Sequence, residues 1–147
     1  MRISAESSLG AIARPHPVLS DDEVRVALAL RLNVLLTGRE TEVEDVLARM
    51  LMQMAPPIAR WEDVSSIAVG PEALRTLVVR DLGSLPPEQQ QLLNDYLDTW
   101  KGSVQVISTT PRSLLTRVER GAFIERLYYR LNTICLDLKP APGSPLR

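Results

Sequence analysis

Four short apolar runs do most to constrain how this chain can fold: Asn33 to Thr37, Thr76 to Val79, Ser103 to Ser108, and Asn132 to Leu138. All are too short for a buried helix, and Val, Leu and Ile dominate them. An unbroken apolar run of this length reads as a strand buried on both faces, which requires helices above and below a parallel sheet. Segments with helical spacing lie between the runs. The alternation predicts one three-layer α/β domain with a mainly parallel sheet. At 147 residues and 45% apolar, the chain is large enough to bury its own core.

Local signals mark the helices. Ser20 with Glu23 fits a capping box, so a helix is expected over 21–31. A second helix places Val43, Val46, Leu47, Met50, Leu51 and Met54 on one face, with Thr41 and Glu44 as its capping box, and stops at Pro56-Pro57. Residues 58–64 and 67–69 each suit a short strand. Pro86-Pro87 opens a helix carrying Leu92, Leu93, Tyr96, Leu97 and Trp100. Helices are expected over 111–119 and 123–131, broken at Gly121. Residues 1–19 read as a flexible lead-in, 20–139 as the domain and 140–147 as a flexible tail.

The side chains available narrow the chemistry. Seventeen basic and eighteen acidic residues leave a net charge of −1, against a strongly basic nucleic-acid binder. One histidine, His16 between two prolines, and one cysteine, Cys135 in an apolar run, exclude a multi-ligand zinc site and most histidine-based triads. His16 reads as a solvated loop residue and Cys135 as a small buried side chain. Neither a membrane span nor a signal-peptide stretch is apparent, and the expected compartment is the cytoplasm.

A strand running into Gly38 and then a helix is where a phosphate-binding loop would sit. Such a loop needs glycines for close backbone approach, a lysine for the β/γ-phosphates and a hydroxyl for magnesium. In the register starting at Gly38, Val43 stands at the second glycine, Glu44 at the lysine and Asp45 at the hydroxyl. A carboxylate about 4 Å from a phosphate costs about 1 kcal/mol in water and about 4 at an effective dielectric of 20. Glu40, Glu42, Glu44 and Asp45 together repel a triphosphate. The strand Leu77-Val78-Val79 ends in Arg80-Asp81, so Arg80 stands where a magnesium-holding acid belongs. Arg80 is expected to pair with the acidic loop and fill the site with an internal ion network. No cofactor and no metal are expected.

Residues 121–132, Gly-Ala-Phe-Ile-Glu-Arg-Leu-Tyr-Tyr-Arg-Leu-Asn, resemble the GxFREDLYYRLN stretch of sigma-54-dependent transcription activators, a branch of the AAA+ ATPases. Asn33 to Gly38 is similar to their strand leading into the P-loop, Leu77 to Pro86 to their LFLDEIGxLP segment, and Val104 to Thr110 to their VRVIAATN sensor strand. The resemblance spans roughly 32–138 and implies a P-loop NTPase-like fold. It also implies ring-forming, ATP-hydrolysing relatives that remodel sigma-54 RNA polymerase through a GAFTGA loop. This chain departs at the working parts. The lysine, second-glycine and magnesium-acid positions hold Glu44, Val43 and Arg80, and the sensor Asn corresponds to Thr110. Of the two finger arginines, the first is Ile124 and Arg130 remains, with Arg126 replacing the Asp between them. The roughly two dozen residues between Met54 and Leu77 are too few for a GAFTGA segment, and neither a helical lid nor a helix-turn-helix is expected.

The leading expectation is a catalytically inactive AAA+-like protein, a pseudo-ATPase that regulates or inhibits a partner protein. The partner would be a true AAA+ activator or an enzyme held inactive, and a homo-oligomer is compatible with the resemblance. The expected contact surface carries Arg117, Arg120, Arg126 and Arg130, near Arg112; the competing reading makes these arginines a solvated face with local ion pairs. The alternative function is a nucleotide-binding sigma-54-type transcription regulator with weak or no hydrolysis. Nucleic-acid binding through the arginines is disfavoured, because Phe123, Tyr128 and Tyr129 at helical spacing read as core.

Overall fold

The computed structural model describes residues 21–64 and 74–138. His16, the Ser20 cap, the suggested strand at 67–69 and both expected tails lie outside the described residues. In chain order the elements are α1 (Asp21–Leu30), β1 (Val34–Thr37), α2 (Glu40–Leu51), β2 (Ile58–Arg60), α3 (Trp61–Val64), β3 (Thr76–Val79), a 3-10 turn (Leu82–Ser84), α4 (Pro87–Trp100), β4 (Gln105–Thr110), α5 (Leu115–Glu119), α6 (Glu125–Leu131) and β5 (Ile134–Asp137).

The five strands form one all-parallel sheet in the order β2-β3-β4-β1-β5. Leu35 of β1 sits opposite Ser108 of β4 and Cys135 of β5. Successive strand residues point to opposite faces. Leu35, Leu77, Val79 and Val106 therefore join Leu93, Trp100, Phe123, Leu127 and Leu131 on one side. Val34, Leu36, Val78, Ile107 and Leu136 join Ala27, Val43, Val46, Leu47 and Met50 on the other. Two cores on two faces of one sheet give the expected three layers. Cys135 is buried, and Tyr96 stacks between Trp61 and Trp100 at 5.4 and 5.3 Å.

Several element boundaries differ from those expected. The strand expected over 103–108 is displaced to 105–110. Ser103 closes the end of α4, its N–H and hydroxyl both donating to Trp100 O at 3.0 and 2.7 Å. Thr109 and Thr110 pair with Leu36 and Thr37 instead. The helix expected from Pro111 begins only at Leu115. The one expected from Phe123 begins at Glu125: Ile124 is its N-cap in extended backbone, φ −65° and ψ 119°, with its N–H held by Gln90 Oε1 at 2.9 Å. Of residues 58–64 only the first three are strand, and the next four form α3. Tyr129, expected in the core, is 58% exposed.

β1 leads by way of α2 to β2 on the far side of β4 and β3, whereas β4 leads to β5 on the other side of β1. Chains leaving in opposite directions from neighbouring strands open a crevice at their carboxyl ends, where ligands of open α/β sheets bind.

Candidate functional site

That crevice is lined by Gly38, Glu40, Val43, Glu44, Arg80, Asp81, Thr109, Thr110 and Pro111 and encloses about 190 Å³. This is below the roughly 300 Å³ at which ligand pockets usually begin. The fold thus brings together five of the six residues that the sequence singled out here. The sixth, Asp45, is exposed on α2 and does not line the crevice.

The floor is set by β1 running almost directly into a helix. Only Gly38 and Arg39 separate Thr37 from Glu40, the first residue of α2. Residues at the loop positions of a phosphate cradle are therefore helical, and the Val43 N–H donates to Arg39 O at 2.9 Å. An amide used inside a helix is not offered to a phosphate. The expected capping box at Thr41 and Glu44 does not form. The N-cap is Arg39 in extended conformation with no side-chain cap bond, and Thr41 lies inside the first turn. Acidic Glu40 and Glu42 complement the helix dipole there.

Glu44 is engaged elsewhere. Arg80 Nε donates to Glu44 Oε2 at 3.0 Å and to Oε1 at 3.3 Å, bridging the lysine position and the magnesium-acid position. The internal ion pair expected from the sequence is present. Both side chains are about 40% exposed, so the pair contributes about 0–1 kcal/mol. Arg80→Ala is accordingly expected to lower stability by under about 1 kcal/mol. A double-mutant cycle with Glu44→Ala should return a positive coupling, and a coupling of zero would remove the ion pair as the cause.

Asp81 follows in left-handed conformation, φ 52° and ψ 58°. Its N–H donates to Thr109 Oγ1 at 2.9 Å, while Thr110 Oγ1 donates to Arg112 O at 2.8 Å. The two threonines at the end of β4 thus hold the crevice rim. Thr109 was not singled out by sequence, since an alternating hydroxyl in a strand carries no motif.

The four arginines assigned to partner contact have different surroundings. Arg126 Nη2 reaches Asp98 Oδ1 at 3.1 Å, and Arg130 pairs with the same oxygen while its Nη1 donates to Asn94 O at 3.1 Å. Arg117 donates to Gly83 O, tying α5 to the 3-10 turn. Arg120 and Arg112 are exposed. Local pairing therefore accounts for Arg126 and Arg130, as in the competing reading. Asp98, their shared acceptor on α4, had no sequence signal because the contact joins two helices.

The Arg130 hydrogen bond holds the Asp98 carboxyl below the ordinary aspartate value; partial desolvation opposes this, and the charges of Arg126, Arg130 and Lys101 add to it. A lowered folded-state value means the contact stabilises above the ordinary value and is lost as pH falls through the folded one. Between neutral pH and pH of about 3, the melting-temperature gap between wild type and Asp98→Asn should therefore hold until pH nears the ordinary aspartate value and narrow below it. A constant gap across that range would exclude Asp98 as the titrating group.

The profile of the Sigma-54 interaction domain family matches residues 21–141. The chain is 32% identical over 81 residues to the HTH-type transcriptional regulatory protein TyrR of Salmonella typhimurium, and equally to that of Citrobacter braakii. Each match covers 48% of this chain and 16% of the relative, so the chain spans about a sixth of those regulators' length. NtrX from Brucella abortus, solved with ATP, superposes with a TM-score of 0.60 at 17% identity, covering 88% of this chain and 38% of that one. The P-loop NTPase domain of a sigma-54 transport activator from E. coli gives 0.56 at 19% identity, covering 81% and 94%. These structures establish the fold as that of a P-loop NTPase domain. With the family profile spanning nearly all of α1 to β5, the chain belongs to the Sigma-54 interaction domain family.

Proposed function

We propose that this chain is a pseudo-ATPase: an AAA+-like domain that neither binds nor hydrolyses ATP and regulates or inhibits a partner protein by binding it. The observation that carries the reading is the Glu44–Arg80 ion pair, which places a carboxylate where the phosphates need a lysine and a guanidinium where magnesium needs an acid. The helical Val43 amide supports it independently of charge. The fold itself is compatible with nucleotide, since NtrX was solved with ATP and with ADP. Kinship to TyrR, a transcriptional regulatory protein, favours transcription as the process regulated, and the partner classes are an AAA+ activator or an enzyme held inactive.

Calorimetry with ATP and ADP in the presence of magnesium is expected to give no heat, and neither nucleotide should raise the melting temperature. Binding tighter than about 100 μM, about −5.5 kcal/mol, would overturn the reading. The chain would then be a nucleotide-binding regulator of sigma-54 type. The charge-exchanged double variant Glu44→Lys with Arg80→Asp separates the two obstacles. It restores the signs but leaves α2 starting at Glu40, and nucleotide should still fail to bind.

A further inference from the structure

At the opposite end of the sheet from the crevice lies an open groove of about 340 Å³. The geometry points to this groove as a docking site for an acidic, leucine-containing peptide segment of a partner protein. Its rim carries Arg31, Lys101 and Arg130, and apolar surface from Leu32, Leu97 and Trp100 lies between them. No carboxylate is among the groove's lining residues, and Arg130 alone of the three cations is ion-paired, with Asp98, which it shares with Arg126.

Cations at this end of the sheet have a simpler explanation, because α1, α4 and α6 all end here and helix carboxyl ends attract positive charge. Here, however, four carbonyls at these helix ends already have other donors. Ala27 O receives the Leu32 N–H at 3.2 Å and Gln105 Nε2 at 3.1 Å. Leu97 O receives the Lys101 N–H, and Trp100 O receives two bonds from Ser103. Arg130 O receives Asn33 Nδ2 and Thr133 Oγ1 at 3.0 and 3.2 Å. None of these four carbonyls draws on a cationic side chain. Arg31 reaches past its own helix to Ser103 O at 3.1 Å and Arg75 O at 3.5 Å, both neutral acceptors, and makes no ion pair among the described residues. No hydrogen bond holds the Lys101 ammonium among the described residues, and its field reaches Asp98 only at a distance.

Both Arg31 and Lys101 hold left-handed backbone, φ 52° and 49°. Glycine is the ordinary residue at such a helix terminus, and any side chain there strains the backbone. A carboxylate ligand gives those two side chains a use. Gly102 next to Lys101 has open space where a side chain would stand, which leaves the groove mouth clear.

The inference rests on the protein-binding part of the proposed function and not on its nucleotide part, which the calorimetry reports separately. The test titrates the full chain with an amidated, acetylated peptide alternating Leu with Asp and Glu, followed by amide resonance shifts. Saturable shifts are expected at Gly102, Thr133 and the Trp100 indole. Lys101→Glu, exposed and able to keep the fold, should weaken binding by about tenfold or more, the effect of about 1.4 kcal/mol. Arg39→Glu, exposed at the opposite end of the sheet, should leave it unchanged. Four results would each overturn the inference: no saturable shift at millimolar peptide, equal binding by the Asn/Gln counterpart, indifference to Lys101→Glu, or equally strong displacement by oligothymidylate.

Discussion

Phe123→Ala is expected to remove about 3–5 kcal/mol of stability, the range for deleting a buried aromatic ring. Phe123 is 2% exposed although it belongs to the connection between α5 and α6 and to no regular element. Its ring enters the core shared by Leu77, Leu82, Leu93 and Leu127. Gln90 works beside it. This side chain, 2% exposed, accepts the Ile124 N–H and donates to Leu85 O at 3.0 Å and to Ala122 O at 3.4 Å. Those bonds fix the backbone on both sides of the ring, so the loop cannot collapse into the space left by its removal. A domain of this size has about 5–15 kcal/mol in total, and the variant should be close to unfolding at 37 °C. Urea denaturation followed by circular dichroism measures the loss. A value under about 1 kcal/mol would mean that the connection repacks freely.

Gly38→Ala should cost about 2–3 kcal/mol, from a strained backbone and a close contact together. Gly38 has φ 147°, and an added Cβ would stand 3.0 Å from Leu138 Cβ and 3.2 Å from its carbonyl carbon. The Leu138 N–H donates to Thr37 O at 2.7 Å and the Gly38 N–H to Thr110 O at 3.3 Å, so the chain is held from both sides and cannot retreat. Gly38 is thus required by the junction of β1, β4 and β5 with no phosphate involved. If Gly38→Ala melts at the wild-type temperature, this steric account is wrong.

The parts of the fold that were legible in sequence are those where burial is two-sided. Leu35, Leu36, Leu77, Val78 and Val79 face core on both sides of the sheet, so their runs are continuous and their elements fell where expected. β4 was misplaced because its last residues, Thr109 and Thr110, are polar yet buried, at 5% and 2% exposure. Their hydroxyls are satisfied by Asp81 and Arg112, partners that hydropathy does not reveal. β2 was ambiguous for the reverse reason: an edge strand of three residues with Ile58 and Arg60 exposed carries no pattern. At the crevice, the Glu44–Arg80 contact could be foreseen because strand ends of a parallel sheet share one rim. The Asp98 contacts to Arg126 and Arg130 could not, since they depend on how α4 and α6 are rotated against each other.

The two-residue junction between β1 and α2 has a consequence for building a phosphate site here. A chain lacking only a lysine could gain it by one substitution. Here a first helical turn would also have to unwind, and the residues that form it, Glu40, Thr41 and Glu42, are none of them glycine. Charge and backbone would need to change together, and neither change confers an advantage without the other. The junction therefore couples the two requirements: a phosphate cradle at this rim takes a rebuilt backbone as well as a new charge, and no single substitution supplies both.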